Sequence, residues 1–96
     1  MLCKFSLNPS GFLLQESPTI LGKVNNNHVK ISKVQGEVTQ HSHAEYDKAI
    51  IVLKGCLQLF IEQQEIILKE NDLLIIPRET LHSARANEET WVMVIG

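Results

Sequence analysis

Short β-prone segments, each closed by turn residues, recur at intervals of roughly ten residues along most of this chain. Thr19 to Val24 runs into the turn Asn25-Asn26-Asn27, and Leu73 to Ile76 stops at Pro77. No segment shows the 3.6-residue apolar period of an amphipathic helix over a useful length. The pattern therefore predicts an all-β barrel or sandwich.

The strand prediction treats residues 1–96 as one domain, because no linker or internal repeat interrupts the pattern. Residues 1–18 are expected to form an N-terminal arm or an edge strand. Gly36 permits a bend between two successive strands. If the arm pairs with the sheet, its edge strand is Cys3–Leu7. The other predicted strands, in chain order, are Thr19–Val24, His28–Val34, Glu37–His43, Lys48–Leu53, Cys56–Ile61, Ile66–Leu68, Leu73–Ile76, Leu81–Ala86 and Trp91–Ile95. In His28–Val34, the polar face that carries His28 and Lys30 is expected at the surface.

Composition excludes several classes of partner. The apolar fraction of 44% is that of a globular protein, and a formal net charge of −2 gives no reason to expect nucleic acid or an anionic membrane. No apolar run approaches the ~20 residues of a membrane span, and the N-terminus lacks the apolar core of a secretory signal. Cys3 and Cys56 form no CxxC pattern, so we expect free thiols in a reducing cytoplasm.

Three histidines have the spacing of a metal site. His41 and His43 lie two residues apart on extended backbone, so both side chains project from the same face. His82 lies in a later extended segment and supplies a third imidazole. Three neutral imidazoles suit a divalent ion such as Fe, Zn, Mn or Ni, with open positions for water or a ligand. No motif for an organic cofactor is present.

The same residues resemble the two sequence motifs of the cupin superfamily. The matching residues are Gly36, His41, His43 and Gly55 in the first motif, and Asp72, Pro77 and His82 in the second. The motifs and the segment between them span residues 36–87. The resemblance implies a single small cupin β-barrel of the double-stranded β-helix (jelly-roll) type, and many small cupins are homodimers. If the protein is an enzyme, the resemblance implies a metal-dependent oxygenase or isomerase.

The chain departs from the cupin pattern at the glutamate that usually completes the metal site. The expected position falls on Lys48 or, with the shorter spacing, on Asp47. Strand alternation turns Lys48 inward and Asp47 outward, whereas a local bulge would turn Asp47 inward as a fourth ligand. Glu45 and Tyr46, in the loop before this strand, could also reach the pocket. Asn71 and Glu79 stand where the second motif has glycine.

Two functions follow from these residues. The first is a barrel that binds a divalent metal through His41, His43 and His82, together with a small polar molecule. The alternative is a metal-free ligand-binding or sensor barrel, in which Lys48 and the histidines bind a small anion. A barrel retained only for assembly is a third option, and the alternation of Trp91, Met93 and Ile95 fits either a core or a dimer contact.

Overall fold

The computed structural model describes residues 2–7, 19–42 and 46–96. Seven strands and no helix occur in these residues, which confirms the all-β prediction. The strands are β1 (Thr19–Val24), β2 (Asn27–His41), β3 (Lys48–Lys54), β4 (Cys56–Ile61), β5 (Gln64–Lys69), β6 (Leu73–Ile76) and β7 (His82–Ile95). Within the same residues no helix exists that could cross a membrane.

The sheet consists of two halves that share the long strands β2 and β7, of 15 and 14 residues. The β3 half comprises β1, β3 and β6 with residues 27–34 of β2 and 90–95 of β7. The β4 half comprises β4 and β5 with residues 36–41 of β2 and 82–86 of β7. Buried residues of both halves form one hydrophobic core, which includes Ile50 and Val52 from β3 and Leu57 and Leu59 from β4. The halves therefore face each other as the two walls of a jelly-roll barrel.

Gly36 bends β2 where it passes from one half to the other. Its φ is +93°, and the register between β2 and β7 shifts between Val34 and Gly36. The bend predicted at Gly36 is therefore present, but it lies inside one strand instead of between two. In the same way the predicted strands over 81–86 and 91–95 form the single strand β7. Both long strands stay continuous because they pair with each other on either side of the bend.

The chain also passes from one half of the sheet to the other at Gly55, a crossing that connects β3 to β4. Its φ is +99°, and a Cβ atom there would lie 2.6 Å from Oγ1 and 2.9 Å from Cα of Thr90. Thr90 is fully buried, and its hydroxyl accepts the N–H of Cys56 at 3.2 Å and donates to the Cys56 carbonyl at 3.0 Å. This crossing therefore requires glycine both for its φ and for the close approach of β7.

One alternative of the strand prediction is not observed, and one expected orientation is wrong. Residues 2–7 form no strand, because they pair with no described strand and are mostly exposed; residues 1 and 8–18 of the predicted arm lie outside the described residues. Lys30 does not face the surface: together with Ser32 it lines the interior, while the intervening Ile31 is on the outer face and is 1% exposed. Register decides this orientation, since Lys30 lies opposite Val94, whose other partner is the core residue Ile50.

Candidate functional site

A cavity of about 270 Å³ lies between the two halves of the sheet. Much of its wall is apolar, with contributions from Ile50 of β3, Leu57 and Leu59 of β4, and Val92 and Val94 of β7. The described polar side chains that line it are Lys30, Ser32, His41, Tyr46, Lys48 and His82. An apolar chamber with a few polar groups is the usual form of a small-molecule site.

His41 and His82 are brought together by strand pairing. They are directly opposite each other on the antiparallel strands β2 and β7, although 41 positions separate them in the sequence. Their ring centroids are 4.3 Å apart and the ring planes meet at 61°. The expected convergence of these two imidazoles is therefore present at one end of the cavity.

Both imidazoles are oriented by the backbone two residues earlier. Nδ1 of His41 lies 2.8 Å from the Thr39 carbonyl oxygen, and Nδ1 of His82 lies 2.8 Å from the Thr80 carbonyl oxygen. A carbonyl can only accept, so Nδ1 must carry the proton in each ring. In the neutral form the lone pair then resides on Nε2. Metal-binding histidines in proteins commonly have this arrangement, in which the second nitrogen donates to a carbonyl.

Burial keeps His82 neutral near pH 7. The residue is 2% exposed, and burial lowers its pKa below the ordinary value near 6.5. The hydrogen bond to Thr80 opposes this shift, whereas the charges of His41 and Lys48 reinforce it. A neutral imidazole is the protonation state that a metal requires of its ligand.

Lys48 projects into the same cavity. Burial lowers the pKa of its ammonium group, and the charge of Lys30 lowers it further. Lys30 reaches the cavity from β2, on the other side of β7. Sequence reasoning missed Lys30 and Ser32, because alternation separates the two faces of a strand without showing which one is inside. The one sequence signal for their inward orientation was that the apolar Val34 lies on the same face of the strand, two residues after Ser32.

Asp47 lies outside the cavity, on the surface. Its carboxylate accepts the backbone N–H of Arg78 at 2.9 Å and lies 3.5 Å from the Arg78 Nε. The hydrogen bond from the Arg78 N–H is the main reason that the pKa of Asp47 is lowered. The inward bulge considered for Asp47 is therefore not present, because Asp47 faces Arg78 at the surface and the pairing of β3 with β6 is regular from Lys48 to Ile51.

Of the remaining predicted site residues, one lines the cavity and two are not described by the structure. Tyr46 lines the cavity, whereas His43 and Glu45 lie outside the described residues. Among the residues that the structure describes, no group of three His, Cys, Asp or Glu side chains is placed to hold a metal ion. The three-histidine site therefore stays a prediction, of which the structure contains the His41–His82 pair.

Comparison with known proteins identifies the family. The model of the cupin domain family Cupin_2 matches residues 27–95. The protein therefore belongs to the cupin family, as the resemblance of its motifs indicated. A crystal structure of a cupin-2 domain containing protein from Shewanella frigidimarina is 34% identical, with a TM-score of 0.83 over 91% of this chain and 85% of that one.

Two curated relatives are uncharacterized. YdbB of Bacillus subtilis is 35% identical over 71 residues, which cover 73% of this chain and 63% of YdbB. A protein of Aquifex aeolicus is 39% identical over 54 residues, which cover 56% of this chain and 45% of that protein. This chain thus matches less than two thirds of the length of either relative.

Proposed function

We propose that this protein binds a divalent metal ion through His41, His43 and His82, with a small polar molecule in the cavity beside the metal. The observation that carries the proposal is the His41–His82 pair, whose Nδ1 atoms are both committed to backbone carbonyls. In each neutral ring Nε2 is therefore the atom that would coordinate the metal. Imidazole ligands suit Fe, Zn, Mn and Ni.

The chemistry of the described donors fits such an ion only in part. Two imidazole side chains suit it, whereas the ammonium group of Lys48 repels it. No described aspartate or glutamate lines the cavity to offset that repulsion. The metal, when bound, would supply a Lewis acid that polarises an oxygen atom of the small molecule.

Elemental analysis of protein purified without a histidine tag tests the metal site. We expect about one metal ion per chain after reconstitution, and loss of that metal in both His41→Ala and His82→Ala. His28→Ala is the matched control, because His28 lies on β2 but does not line the cavity. If no metal binds after reconstitution with Fe, Zn, Mn and Ni in turn, the proposal is wrong.

A second candidate is a metal-free barrel that binds a small anion through Lys48 and the histidines. The residues that line the cavity support this candidate. Their described ionisable side chains are those of lysine, histidine and tyrosine, and none of them is a carboxylate. This candidate predicts affinity for small anions in metal-free protein, and weaker affinity in Lys48→Ala. The elemental analysis separates the two candidates.

We also propose that the protein is a cytoplasmic homodimer that associates through the outer face of the β3 half. Register aligns two rows of apolar residues there, and neither row contains a charge. The rows are Val29, Ile95, Ala49 and Ile75, and Ile31, Met93, Ile51 and Leu73. Exposure increases along the second row from 1% at Ile31 to 56% at Leu73, and Ile75 is 64% exposed. The thiols of Cys3 and Cys56 are free, which suits a reducing compartment.

A further inference from the structure

Two lysines share the inner wall of the β3 half. Lys30 is opposite Val94, Val94 is opposite Ile50, and Lys48 is two residues from Ile50 on the same face of β3. With ordinary strand spacing and rise, their Cα atoms are roughly 12 Å apart. Two long side chains that both line the cavity can cover most of that separation, and the charge of Lys30 adds to the lowering of the Lys48 pKa by burial.

Neither lysine has a partner of opposite charge among the described residues. The ion pair found there joins Arg78 to Asp47, on the outside of the barrel. Lys30 and Lys48 make no hydrogen bond or ion pair with any described residue. Two like charges in a largely apolar cavity repel each other and lose part of their hydration, and an anion placed between them offsets both effects.

Ser32 adds a neutral hydrogen-bonding group to the same wall. It lies two residues after Lys30, lines the cavity and is only 8% exposed. No described residue forms a hydrogen bond with its side chain. A buried hydroxyl of this kind is usually satisfied by water or a ligand, and it can donate to an oxyanion.

We propose that Lys30, Ser32 and Lys48 form a carboxylate-binding subsite, and that the ligand of this barrel is a small amphipathic carboxylate. The carboxylate accepts from the two ammonium groups and from the Ser32 hydroxyl. The apolar chain of the ligand lies against the wall formed by Ile50, Leu57 and Leu59. This inference deepens the proposed function and rests on it, because the carboxylate is the small molecule that was proposed to share the cavity. It assigns Lys30 as a specificity-determining residue.

The cavity favours a carboxylate with an apolar chain over a compact anion. Its volume of about 270 Å³ is below the 300–1,000 Å³ typical of sites for drug-sized ligands. Its mostly aliphatic wall would remain uncovered by inorganic phosphate, whereas a chain of about six carbons removes that wall from water.

The subsite also removes the conflict between Lys48 and a bound metal. A carboxylate between the Lys48 ammonium group and the metal ion attracts both. The metal and the carboxylate should therefore strengthen each other's binding by the same factor. Replacing Lys48 removes the repulsion that opposes the metal. Metal affinity should therefore rise in Lys48→Met when no carboxylate is present.

Titration calorimetry with hexanoate and its neutral isostere hexanamide tests the subsite in protein stripped of metal. We expect hexanoate to bind, and hexanamide to bind at least about tenfold more weakly, because charge-assisted hydrogen bonds are lost. Lys30→Met and Lys48→Met should each weaken hexanoate about tenfold, whereas Lys30→Arg should stay within about threefold. Lys33→Met is the matched control and should leave the affinity unchanged, since Lys33 lies on β2 but does not line the cavity.

Three results would overturn the subsite: no binding of hexanoate, equal binding of hexanoate by wild type and Lys30→Met, or phosphate bound as tightly as hexanoate. Circular dichroism establishes that each variant is folded. Metal uptake is measured separately, after reconstitution of each protein with Fe, Zn, Mn and Ni in turn, so the two proposals fail separately. Metal uptake with no hexanoate affinity refutes the subsite alone, and Lys30-dependent hexanoate affinity in a protein that takes up none of these metals refutes the metal site alone.

Discussion

The two halves of the barrel distribute polar and apolar residues in opposite ways. In the β4 half, Leu57, Leu59 and Leu68 face the core, while the outer row contains Glu37, Arg85 and Gln58. In the β3 half, two outer rows are entirely apolar and the inner face carries two lysines and a serine. A sheet that packs on one side normally has its apolar face inside and its polar face in water. The β4 half follows that rule except for His41 and His82 inside and Phe60 and Ile67 outside, whereas the β3 half departs from it more widely on both faces.

This difference indicates where the molecule is incomplete by itself. The residues of the β4 half supply much of the buried core, and its outer row aligns Glu37, Arg85 and Gln58. The β3 half leaves apolar side chains exposed outside and unpaired cations inside. A partner chain would cover the first, and an anionic ligand would neutralise the second.

The largest expected effect concerns the two glycines at which the chain passes between the halves. Gly55→Ala should lower the free energy of unfolding by about 3–4 kcal/mol, because backbone strain adds to a clash with the Thr90 backbone. Gly36→Ala should cost only about 1–2 kcal/mol, since a Cβ at Gly36 meets nothing within 4 Å and only the strain remains. Urea denaturation of both variants measures the difference. Equal losses would show that the crossing at Gly55 does not depend on its contact with β7.

The second largest expected effect is on dimerisation, and it compares the outer face of the β3 half with that of the β4 half. Ile75→Lys should weaken dimerisation at least about thirtyfold, because it places an ammonium group in an apolar interface. Ile67→Lys is the matched control, since Ile67 is 48% exposed on the outer face of the β4 half. Sedimentation equilibrium over a range of protein concentrations gives both dissociation constants. Wild-type protein that is monomeric at micromolar concentration, or an equal effect of the two substitutions, would contradict the proposed interface.

The smallest expected effect is on the stability of the ligand-free protein, and it concerns the inner face of the β3 half. Lys48→Met should raise the free energy of unfolding of ligand-free protein by about 1 kcal/mol near neutral pH, because a half-buried ammonium without a counter-ion is removed. Folding lowers the pKa of Lys48, so between that value and about 10.4 the unfolded chain binds more protons than the folded one. Wild-type stability should therefore rise with pH across this window relative to Lys48→Met, and the advantage of the variant should shrink.

Denaturation curves of the two proteins from neutral to alkaline pH measure this convergence. Lys30, His41, Tyr46 and His82 face the same cavity and are present in both proteins, so the difference mainly reflects Lys48. A constant difference at all pH values would show that Lys48 does not lose its proton more easily in the folded state.

Much of the fold could be predicted from local patterns. The bounds of β1, β4 and β6 agree with the predicted strands, because alternation and turn residues are local signals. Even Asn71 and Glu79, at the glycine positions of the cupin motif, have positive φ values of 72° and 63°. The joining of two predicted strands into each of β2 and β7 could not be predicted, since it results from pairing between distant segments.

The sequence predicted a site with histidines and a lysine, but it identified only some of the residues that line the cavity. The spacing of His41 and His82 within recognisable motifs indicated their convergence, and alternation placed Lys48 on the inner face. Lys30 and Ser32 escaped prediction, because a strand with polar and apolar faces is expected to turn its polar face to water.

By itself the sequence determined the all-β class, the cupin family and the residue types available for a site, because each depends on spacing along the chain. Tertiary structure alone decided which face of β2 became the inside. Cross-strand register turned Lys30 and Ser32 inward, and it aligned the outer apolar rows. Side-chain alternation offers two orientations for every strand, and only packing against the other strands selects one of them.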